Sequence, residues 1–460
     1  MPESGEFRPP LCRAAGTSLA VHALEFAYGT EGFIRGVGIM DVSSNGMRAA
    51  GLAAWIVIGG TPIAATAAPW TLSPAGLGMG GAYTAVARDV DAALVNPANL
   101  ALDGNHACAV KLVGMTAQAG YAGLNLTDLR HFVDSDLNDE QKAALVASLK
   151  GDEVAVDADG NLESIGVSMH GFAITTGTLA LVDARAPRDL VELLLDENEL
   201  GRTYNFAGTG GSSAILSTIT GSGARKLKVG SLAELSVGAA FHYYKGWQYN
   251  EVESASGSVT LDITDLDTSG EIVTRSAQDG TGFGIDLGVA GRRGEHLAFG
   301  VVLQNLGGKV RWHNAERSTL NFNADSLTVQ QILNGEDVVE ALEDTEPTPD
   351  FDTTLPASAR LGVAVKGGPL LIATDLVADL VGEKFSAPTR VHLGSEVTVW
   401  KKFPLRGGMA FGPSSKPRFS LGFGAKLGIL RIDVAGVSEG SLHPDQAGTY
   451  GGALGFGLVF

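Results

Sequence analysis

The feature that most constrains this chain is a series of segments in which apolar and polar residues alternate. The clearest of them spans residues 389 to 400. Its apolar residues fall on odd positions and its polar residues on even ones: Val391, Leu393, Val397 and Val399 against Arg390, His392, Glu396 and Thr398. Because successive side chains of a β-strand point to opposite faces, one face of this segment suits an apolar medium and the other suits water.

Alternation and turn signals predict fourteen strands between His106 and the last residue, Phe460. The predicted strands are 106–121, 163–174, 178–186, 203–222, 232–250, 280–291, 296–312, 357–365, 370–380, 389–400, 405–412, 417–426, 430–437 and 449–460. An even number of strands in this range is typical of bacterial outer-membrane barrels.

The predicted connections support the same fold. If the first strand runs outward, the inner connections are mostly short: 175–177, 223–231, 292–295, 366–369, 401–404 and 427–429. The outer connections include every long one: 122–162, 187–202, 251–279 and 313–356. Short periplasmic turns and long extracellular loops are typical of transmembrane barrels. We therefore predict an all-β chain whose residues 106–460 form a 14-stranded antiparallel transmembrane β-barrel, and not a soluble β-sandwich.

Composition and charge exclude several other classes of protein. The 62 glycines and the charged fraction of 18% suit one large all-β unit. A net charge of -18 argues against a nucleic-acid partner, which would require clustered Lys and Arg. Cys12 and Cys108 are the only cysteines, so they provide neither a disulfide framework nor a thiolate metal site. We expect no cofactor and no metal.

Residues 47–67 have the features of a secretory signal peptide. Arg48 supplies a positive charge, residues 51–60 are apolar, and Ala65-Thr66-Ala67 is a small-residue cleavage site. We predict export by a Sec-type signal to the outer membrane of a Gram-negative cell, with residues 1–46 an upstream extension that is not native or is disordered. The terminal Phe460 resembles the signal read by the barrel-assembly machinery, which would be a partner.

The stretch from Leu72 to Leu102 fits neither a strand nor an ordinary core helix, because it is rich in Gly and Ala and is interrupted. A short helix over 82–94 is predicted, and Asn96-Pro97 ends it because proline has no N–H to donate. We predict that residues 68–105 form an N-terminal plug in the barrel lumen.

Three segments carry a resemblance to a known family: 76–102 (GLGMGGAYTAVARDVDAALVNPANLAL), 282–312 and 355–376. They resemble the superfamily of FadL-type outer-membrane β-barrels, and the nearest relatives within it look TraF-like and PorV-like. In that superfamily the N-terminal segment sits inside a 14-stranded barrel. The resemblance therefore implies a lumenal position for Asn96, Pro97 and Ala98.

The polar faces of the predicted strands would meet in the lumen. The lumen-facing polar residues are Arg360, Arg390, His392, Glu396, Arg406, Lys426, Arg431 and Asp433. Two interpretations stay open, a pore-lining network of ion pairs and the satisfied polar core of a plugged barrel, and the second is favoured.

Other motifs have ordinary explanations. A helix predicted over 138–151 would pack over the barrel mouth or, alternatively, capture a hydrophobic ligand. The acidic segment 335–352 fits a solvated loop near cation-bridged lipopolysaccharide better than a calcium site. Gly282 to Gly288 lacks the spacing of a dinucleotide motif. His170 and His392 have no recognisable Ser or Asp partner, so we predict no enzyme and no catalytic residue.

Two functions remain open from the sequence. The first is a FadL-like barrel that passes or binds hydrophobic or amphipathic small molecules through its plugged lumen. The second is a PorV-like or TraF-like component without transport, which binds, shuttles or assembles secreted or surface proteins. The expected partners are outer-membrane lipids and lipopolysaccharide, together with a hydrophobic ligand or a secreted protein.

Overall fold

The computed structural model describes residues 73–122, 144, 146–147, 149, 151–194, 201–228, 234–261, 265–328, 340–382, 388–413, 415–441 and 448–460. The predicted upstream extension, the signal peptide and the first residues of the predicted plug lie outside these ranges. The same holds for most of the helix predicted over 138–151 and for the start of the acidic segment 335–352. Within the described residues, no helix is long and apolar enough to span a membrane.

Fourteen long strands of the described chain form a closed antiparallel barrel. They are β1 Cys108–Ala122, β2 Glu153–Met169, β3 Phe172–Pro187, β5 Gly210–Leu227, β6 Glu234–Leu261, β7 Asp265–Arg293, β8 Leu297–Thr328, β11 Ser358–Gly367, β12 Leu370–Asp379, β13 Arg390–Val399, β14 Phe403–Gly412, β15 Ser415–Leu427, β16 Leu430–Glu439 and β17 Thr449–Val459. The barrel closes where β1 pairs with β17, from Ala109 opposite Val459 to Gly120 opposite Thr449. The predicted 14-stranded barrel is confirmed.

Three shorter strands extend the wall at one end. β4 (Thr203–Asn205) pairs with β6, and both β9 (Glu340–Thr348) and β10 (Phe351–Thr354) pair with β8. The strands β6, β7 and β8 contain 28, 29 and 32 residues. A membrane-spanning strand needs only about 9 to 11 residues, so these strands continue well beyond a bilayer at the end with the long connections.

The outer surface of the barrel is apolar and its interior is polar. On β11, the inward-facing Arg360 is 4% exposed, whereas the outward-facing Leu361 and Val365 are 49% and 55% exposed. Strand β13 likewise has its polar side chains inside and its apolar side chains outside, since His392 is buried and Leu393 is exposed. A soluble sheet would place its apolar face inside, so this wall requires lipid around it.

Several strand boundaries differ from the prediction. The turn predicted at 175–177 is wrong, because β2 and β3 turn at His170 and Gly171, which have positive φ angles of 48° and 86°. The predicted loops 251–279 and 313–356 are largely strand. Their large apolar residues, such as Val259, Ile272 and Phe322, are buried, and no large apolar residue described in these segments is exposed. The outward apolar face used to find strands is therefore missing there.

The N-terminal part of the described chain, residues 73–102, is almost entirely buried. It contains helix α1 (Pro74–Gly78), helix α2 (Asp89–Val95) and a 3-10 helix (Pro97–Ala101). We call residues 73–102 the lumenal segment because inward-facing residues of the wall surround it. The helix predicted over 82–94 begins only at Asp89; the preceding residues form turns, and Tyr83 and Thr84 donate their N–H groups to Asp375.

Candidate functional site

The lumenal segment contacts the backbone of two separate parts of the wall. A Cβ atom on Gly408 of β14 would lie 2.3 Å from the nitrogen of Gly80, and one on Gly288 of β7 would lie 2.1 Å from Oδ1 of Asn96. These distances are far below a normal contact, so only glycine fits at either position. The segment is therefore fixed by close contact between backbones as well as by side chains.

Asn96, Pro97 and Ala98 form the turn that leads out of α2. The Oδ1 of Asn96 accepts the N–H of Ala98 at 3.1 Å, and its Nδ2 donates to the carbonyl of Val289 on β7 at 3.2 Å. Ser236 of β6 donates its hydroxyl to the carbonyl of Ala98 at 2.7 Å. The turn is thus bonded to two adjacent strands of the wall.

The predicted polar residues of the lumen do not form one network, and the first group surrounds Arg360. Its guanidinium donates to Asp375 Oδ2 at 3.3 Å, to the carbonyl of Gly81 at 2.7 Å and to Thr84 Oγ1 at 3.0 Å. Asp375 also accepts the N–H groups of Tyr83 and Thr84 at 3.0 and 2.9 Å. This buried pair holds the middle of the lumenal segment to β11 and β12.

A second group joins Arg406 to two carboxylates. Arg406 of β14 lies 2.8 Å from Glu396 of β13 and 2.5 Å from Asp433 of β16. His392 is separate from them, and its Nδ1 lies 2.7 Å from the carbonyl of Gly80. Lys426 lines the same cavity as Arg406.

A third group lies at the end with the long connections. Arg390, which is 1% exposed, makes two hydrogen bonds to Glu439 at 2.8 and 3.0 Å, and Arg418 adds a third at 3.2 Å. Arg431 belongs to none of these groups, since it donates to backbone carbonyls at the turn after Gly428. Asp375 and Arg418 were missed from the sequence, although alternation in the predicted strands places both on inward faces. Glu439 was missed because the predicted strand ended at residue 437 and the observed one ends at Glu439.

The larger cavity, which we call the vestibule, has a volume of about 860 Å³ and lies at the end with the short turns. Its lining mixes apolar groups with eight Lys or Arg and five Asp or Glu: Arg88, Lys111, Arg292, Lys366, Lys401, Arg406, Lys426 and Arg431, against Asp89, Asp91, Glu295, Glu396 and Asp433. The vestibule is therefore cationic in a chain of net charge -18. Burial, together with repulsion from Arg292, lowers the pKa of Arg88 to about 10.

The wall is interrupted between β8 and its neighbours β10 and β11. Residues 305–308 of β8 are bounded by the pairs Lys309–Thr354 and Gln304–Ser358, and residues 355–357 opposite them are not strand. Asn305 and Gly307 have positive φ angles of 53° and 66°, which distort β8. We call residues 305–308 and 355–357 together the seam.

Asn305 holds the seam closed from the lumen side. Its N–H donates to Asp286 Oδ1 at 2.7 Å, its Nδ2 donates to the carbonyl of Pro356 at 2.8 Å, and its Oδ1 accepts the Tyr244 hydroxyl at 2.8 Å. Asp286 also lies 2.9 Å from Nε2 of His242. The two sides of the seam are therefore joined by a polar side-chain network and by one backbone hydrogen bond, which Leu355 N–H donates to the carbonyl of Gly308 at 2.9 Å.

A smaller cavity of about 80 Å³, which we call the seam cavity, lies against this network. Its lining includes Asn305, Pro356 and, from α2, Leu94. Gln304 donates its Nε2 to the carbonyls of Leu94 and Val95 at 3.2 and 3.1 Å. The residue that borders the seam on β8 is thus in direct contact with the lumenal segment.

Replacing Asn305 should loosen the seam. Asn305→Gly keeps the left-handed backbone but removes the bonds to Pro356 and Tyr244, whereas Asn305→Ala also adds backbone strain of about 1 to 2 kcal/mol. We expect faster amide hydrogen exchange over residues 303–309 in both variants and the larger increase in Asn305→Ala. Unchanged exchange in both would show that Asn305 does not hold the seam.

His242 and Asp286 were also missed from the sequence, although both face inward from strands. His242 Nδ1 lies 2.8 Å from Thr220 Oγ1, so a Thr-His-Asp chain of hydrogen bonds lines the seam cavity. His170 lies in the turn between β2 and β3. The described part of the chain contains no group of three His, Cys, Asp or Glu residues arranged to hold a metal ion.

The closed wall, its apolar outer face and its polar interior define a membrane β-barrel of the outer-membrane type. Comparison with known proteins gives a family model described as a family of unknown function, DUF5723, over residues 97–278. No curated protein matches the chain.

Solved structures similar to this chain include the Ralstonia pickettii toluene transporter TbuX, with 14% identity over 85% of this chain and 99% of that chain and a TM-score of 0.48. The P. putida toluene transporter TodX has 12% identity over 85% and 99% and a TM-score of 0.48. A Pseudomonas aeruginosa FadL homologue has 14% identity over 86% and 99% and a TM-score of 0.44. The similarity to these structures is one of fold alone, and the strand pairing of this chain shows the 14-stranded barrel by itself.

Proposed function

We propose that this protein is an outer-membrane channel for small apolar or amphipathic molecules, which move between the lipid and the lumen through the seam. The observation that carries the proposal is the interruption of the wall at Asn305. It lies beside a lumenal cavity, and the preceding residue, Gln304, binds the lumenal segment. A rearrangement of the segment would thus act directly on the wall.

The lipid side of the seam suits an apolar molecule. Phe283, Ile285 and Leu303 are outward-facing and exposed on β7 and β8 next to the interruption. A compound dissolved in the bilayer can reach these residues without entering water, whereas a polar solute cannot. The position of the seam therefore favours apolar and amphipathic cargo.

Buried aromatic side chains line the lumen beyond the seam, towards the long connections. Tyr249 and Trp312 are buried with their ring centroids 5.3 Å apart, and Phe351 lies 5.2 Å from Tyr249. These rings belong to a hydrophobic cluster that includes Leu216 on β5 and Leu355 of the seam. Passage along this side of the lumen would have to displace these buried rings, which favours a lateral route through the seam.

Uptake by proteoliposomes tests the proposed function. The purified barrel would be reconstituted, and the entry of a labelled monoaromatic hydrocarbon, a labelled amphipathic aromatic alcohol and a labelled pentose would be compared with entry into protein-free liposomes. We expect the protein to accelerate entry of the aromatic compounds and not of the sugar. Equal rates with and without protein for both aromatic compounds would contradict a channel function.

A specific observation favours a second candidate, a binding or assembly component of the PorV-like or TraF-like kind. The long strands β6 to β8, together with β4 and β9, form a sheet that extends beyond the membrane. Such a platform could engage a secreted or surface protein. The two candidates are separated by a variant in which residues 254–273 of the β6–β7 hairpin are deleted. If the protein is a channel, this variant should take up the probes as fast as the wild type. If neither protein takes up the probes and the variant loses a polypeptide that native mass spectrometry detects on the wild type, the second candidate is favoured.

A further inference from the structure

The vestibule and the seam cavity are separated by three charged side chains. Lys111 of β1 places its Nζ 2.5 Å from Asp91 Oδ1 on α2 and 2.5 Å from Glu163 Oε2 on β2. The side chains of Lys111, Asp91 and Glu163 are only 11%, 17% and 9% exposed. One cation thus joins a carboxylate of the lumenal segment to a carboxylate of the wall.

The three residues belong to different cavities. Lys111 and Asp91 line the vestibule, whereas Glu163 lines the seam cavity. The helix α2 lies between them, because Asp91 faces the vestibule and Leu94, one turn further on, lines the seam cavity. A molecule moving from one cavity to the other along this side of α2 has to pass the contact between Asp91 and Lys111.

The helix α2 and the wall pack closely at this contact. A Cβ on Gly166 of β2 would lie 2.5 Å from Cγ1 of Val90 on α2, and one on Gly114 of β1 would lie 2.6 Å from Oε2 of Glu163. The helix is therefore seated directly on the wall at the level of the charged residues. Opening a passage here requires α2 to move away from β1 and β2.

We propose that Asp91, Lys111 and Glu163 form the inner barrier of the channel and that it opens when Asp91 leaves Lys111. The inference rests on the proposed function for its cargo, but the barrier itself is a property of the three side chains. Breaking a buried ion pair is costly when it leaves one charge without a partner. After Asp91 leaves, Lys111 remains paired with Glu163. Asp91 moves towards the aqueous vestibule, where water and cations such as Arg406 and Lys426 can stabilise its negative charge.

Two isosteric substitutions should act in opposite directions. Asp91→Asn weakens the bond that is broken on opening, whereas Glu163→Gln leaves Lys111 with Asp91 as its only anionic partner and strengthens that bond. We expect the open fraction to rise about tenfold in Asp91→Asn and to fall about tenfold in Glu163→Gln, since charge-assisted bonds are roughly twice as strong as neutral ones. A merely structural ion cluster would not respond with opposite signs.

The test combines single-channel current in planar bilayers, with potassium chloride as the probe, and proteoliposome uptake of a labelled aromatic alcohol. Thermal unfolding followed by circular dichroism would establish that each variant is folded. Asp279→Asn, which removes an exposed carboxylate paired with Lys245 and lies in neither cavity, is the matched control and should behave like the wild type. Opposite changes in current support the barrier. Equal current in the wild type, Asp91→Asn and Glu163→Gln would overturn it, whereas opposite changes in current without uptake in any variant would refute only the proposed cargo.

Discussion

Gly408→Ala is expected to destabilise the barrel by about 2 to 3 kcal/mol, the upper part of the range for an overpacked interior. A Cβ at this position would lie 2.3 Å from the nitrogen of Gly80 and 2.4 Å from the carbonyl carbon of Met79. Both are backbone atoms, so no side-chain rotation can relieve the contact. The lumenal segment or β14 therefore has to shift. We expect a lower thermal unfolding midpoint and faster protease cleavage within residues 73–102.

The adjacent glycine provides a matched control. Gly407 is on the same strand, but a Cβ there faces outward and meets only the end of Leu421 at 3.8 Å. Gly407→Ala should therefore unfold at nearly the wild-type temperature and resist protease equally well. If both variants behave alike, the lumenal segment does not contact β14 as described.

Glu439→Ala is the second change with a large expected effect. Glu439 is the shared partner of Arg390 and Arg418, which are 1% and 3% exposed, and its removal leaves two buried cations next to each other. Removing one partner of a buried ion pair typically costs about 3 to 5 kcal/mol. We expect a low unfolding midpoint or failure to fold in detergent, measured by circular dichroism.

Two further variants separate the charge from the shape of the side chain. Glu439→Gln keeps an acceptor oxygen and should lose less stability than Glu439→Ala. The double variant Arg390→Met, Glu439→Leu removes both members of one ion pair. It should be more stable than Glu439→Ala, because apolar residues of similar volume can replace a buried ion pair, although Arg418 remains. A Glu439→Ala variant as stable as the wild type would contradict the buried position of the cluster.

The fold could be predicted where lipid contacts one face of every strand. From residue 357 onward, each predicted strand overlaps an observed one with boundaries shifted by a few residues. Beyond the membrane this signal disappears, and residues 251–279 were therefore taken for a loop. The turn at His170 was missed because a left-handed histidine before glycine carries no apolar pattern.

The site was predictable only in part. Alternation placed Arg360 and Arg406 on inward faces, but it could not say which carboxylate each one meets, since partners come from strands distant in sequence. The seam could hardly be predicted, because residues 297–312 have the pattern of one uninterrupted strand. Only Gly307-Gly308 indicates a distortion. The lumenal position of Asn96 followed from the family resemblance and not from composition.

A reversible lock on the seam tests the central claim most directly. Lys309 and Thr354 are paired at its upper boundary, so cysteines at both positions, in a Cys108→Ser background, should form a disulfide across it. Cysteines at Leu393 and Met409, paired on β13 and β14 away from the seam, provide the control.

The measurement is the rate at which proteoliposomes take up a labelled aromatic alcohol before and after reduction. We predict that the oxidised Lys309→Cys, Thr354→Cys variant takes up the probe slowly and regains the wild-type rate on reduction, while the control pair transports equally well in both states. Equal uptake by the locked and reduced seam would contradict a lateral route through this wall.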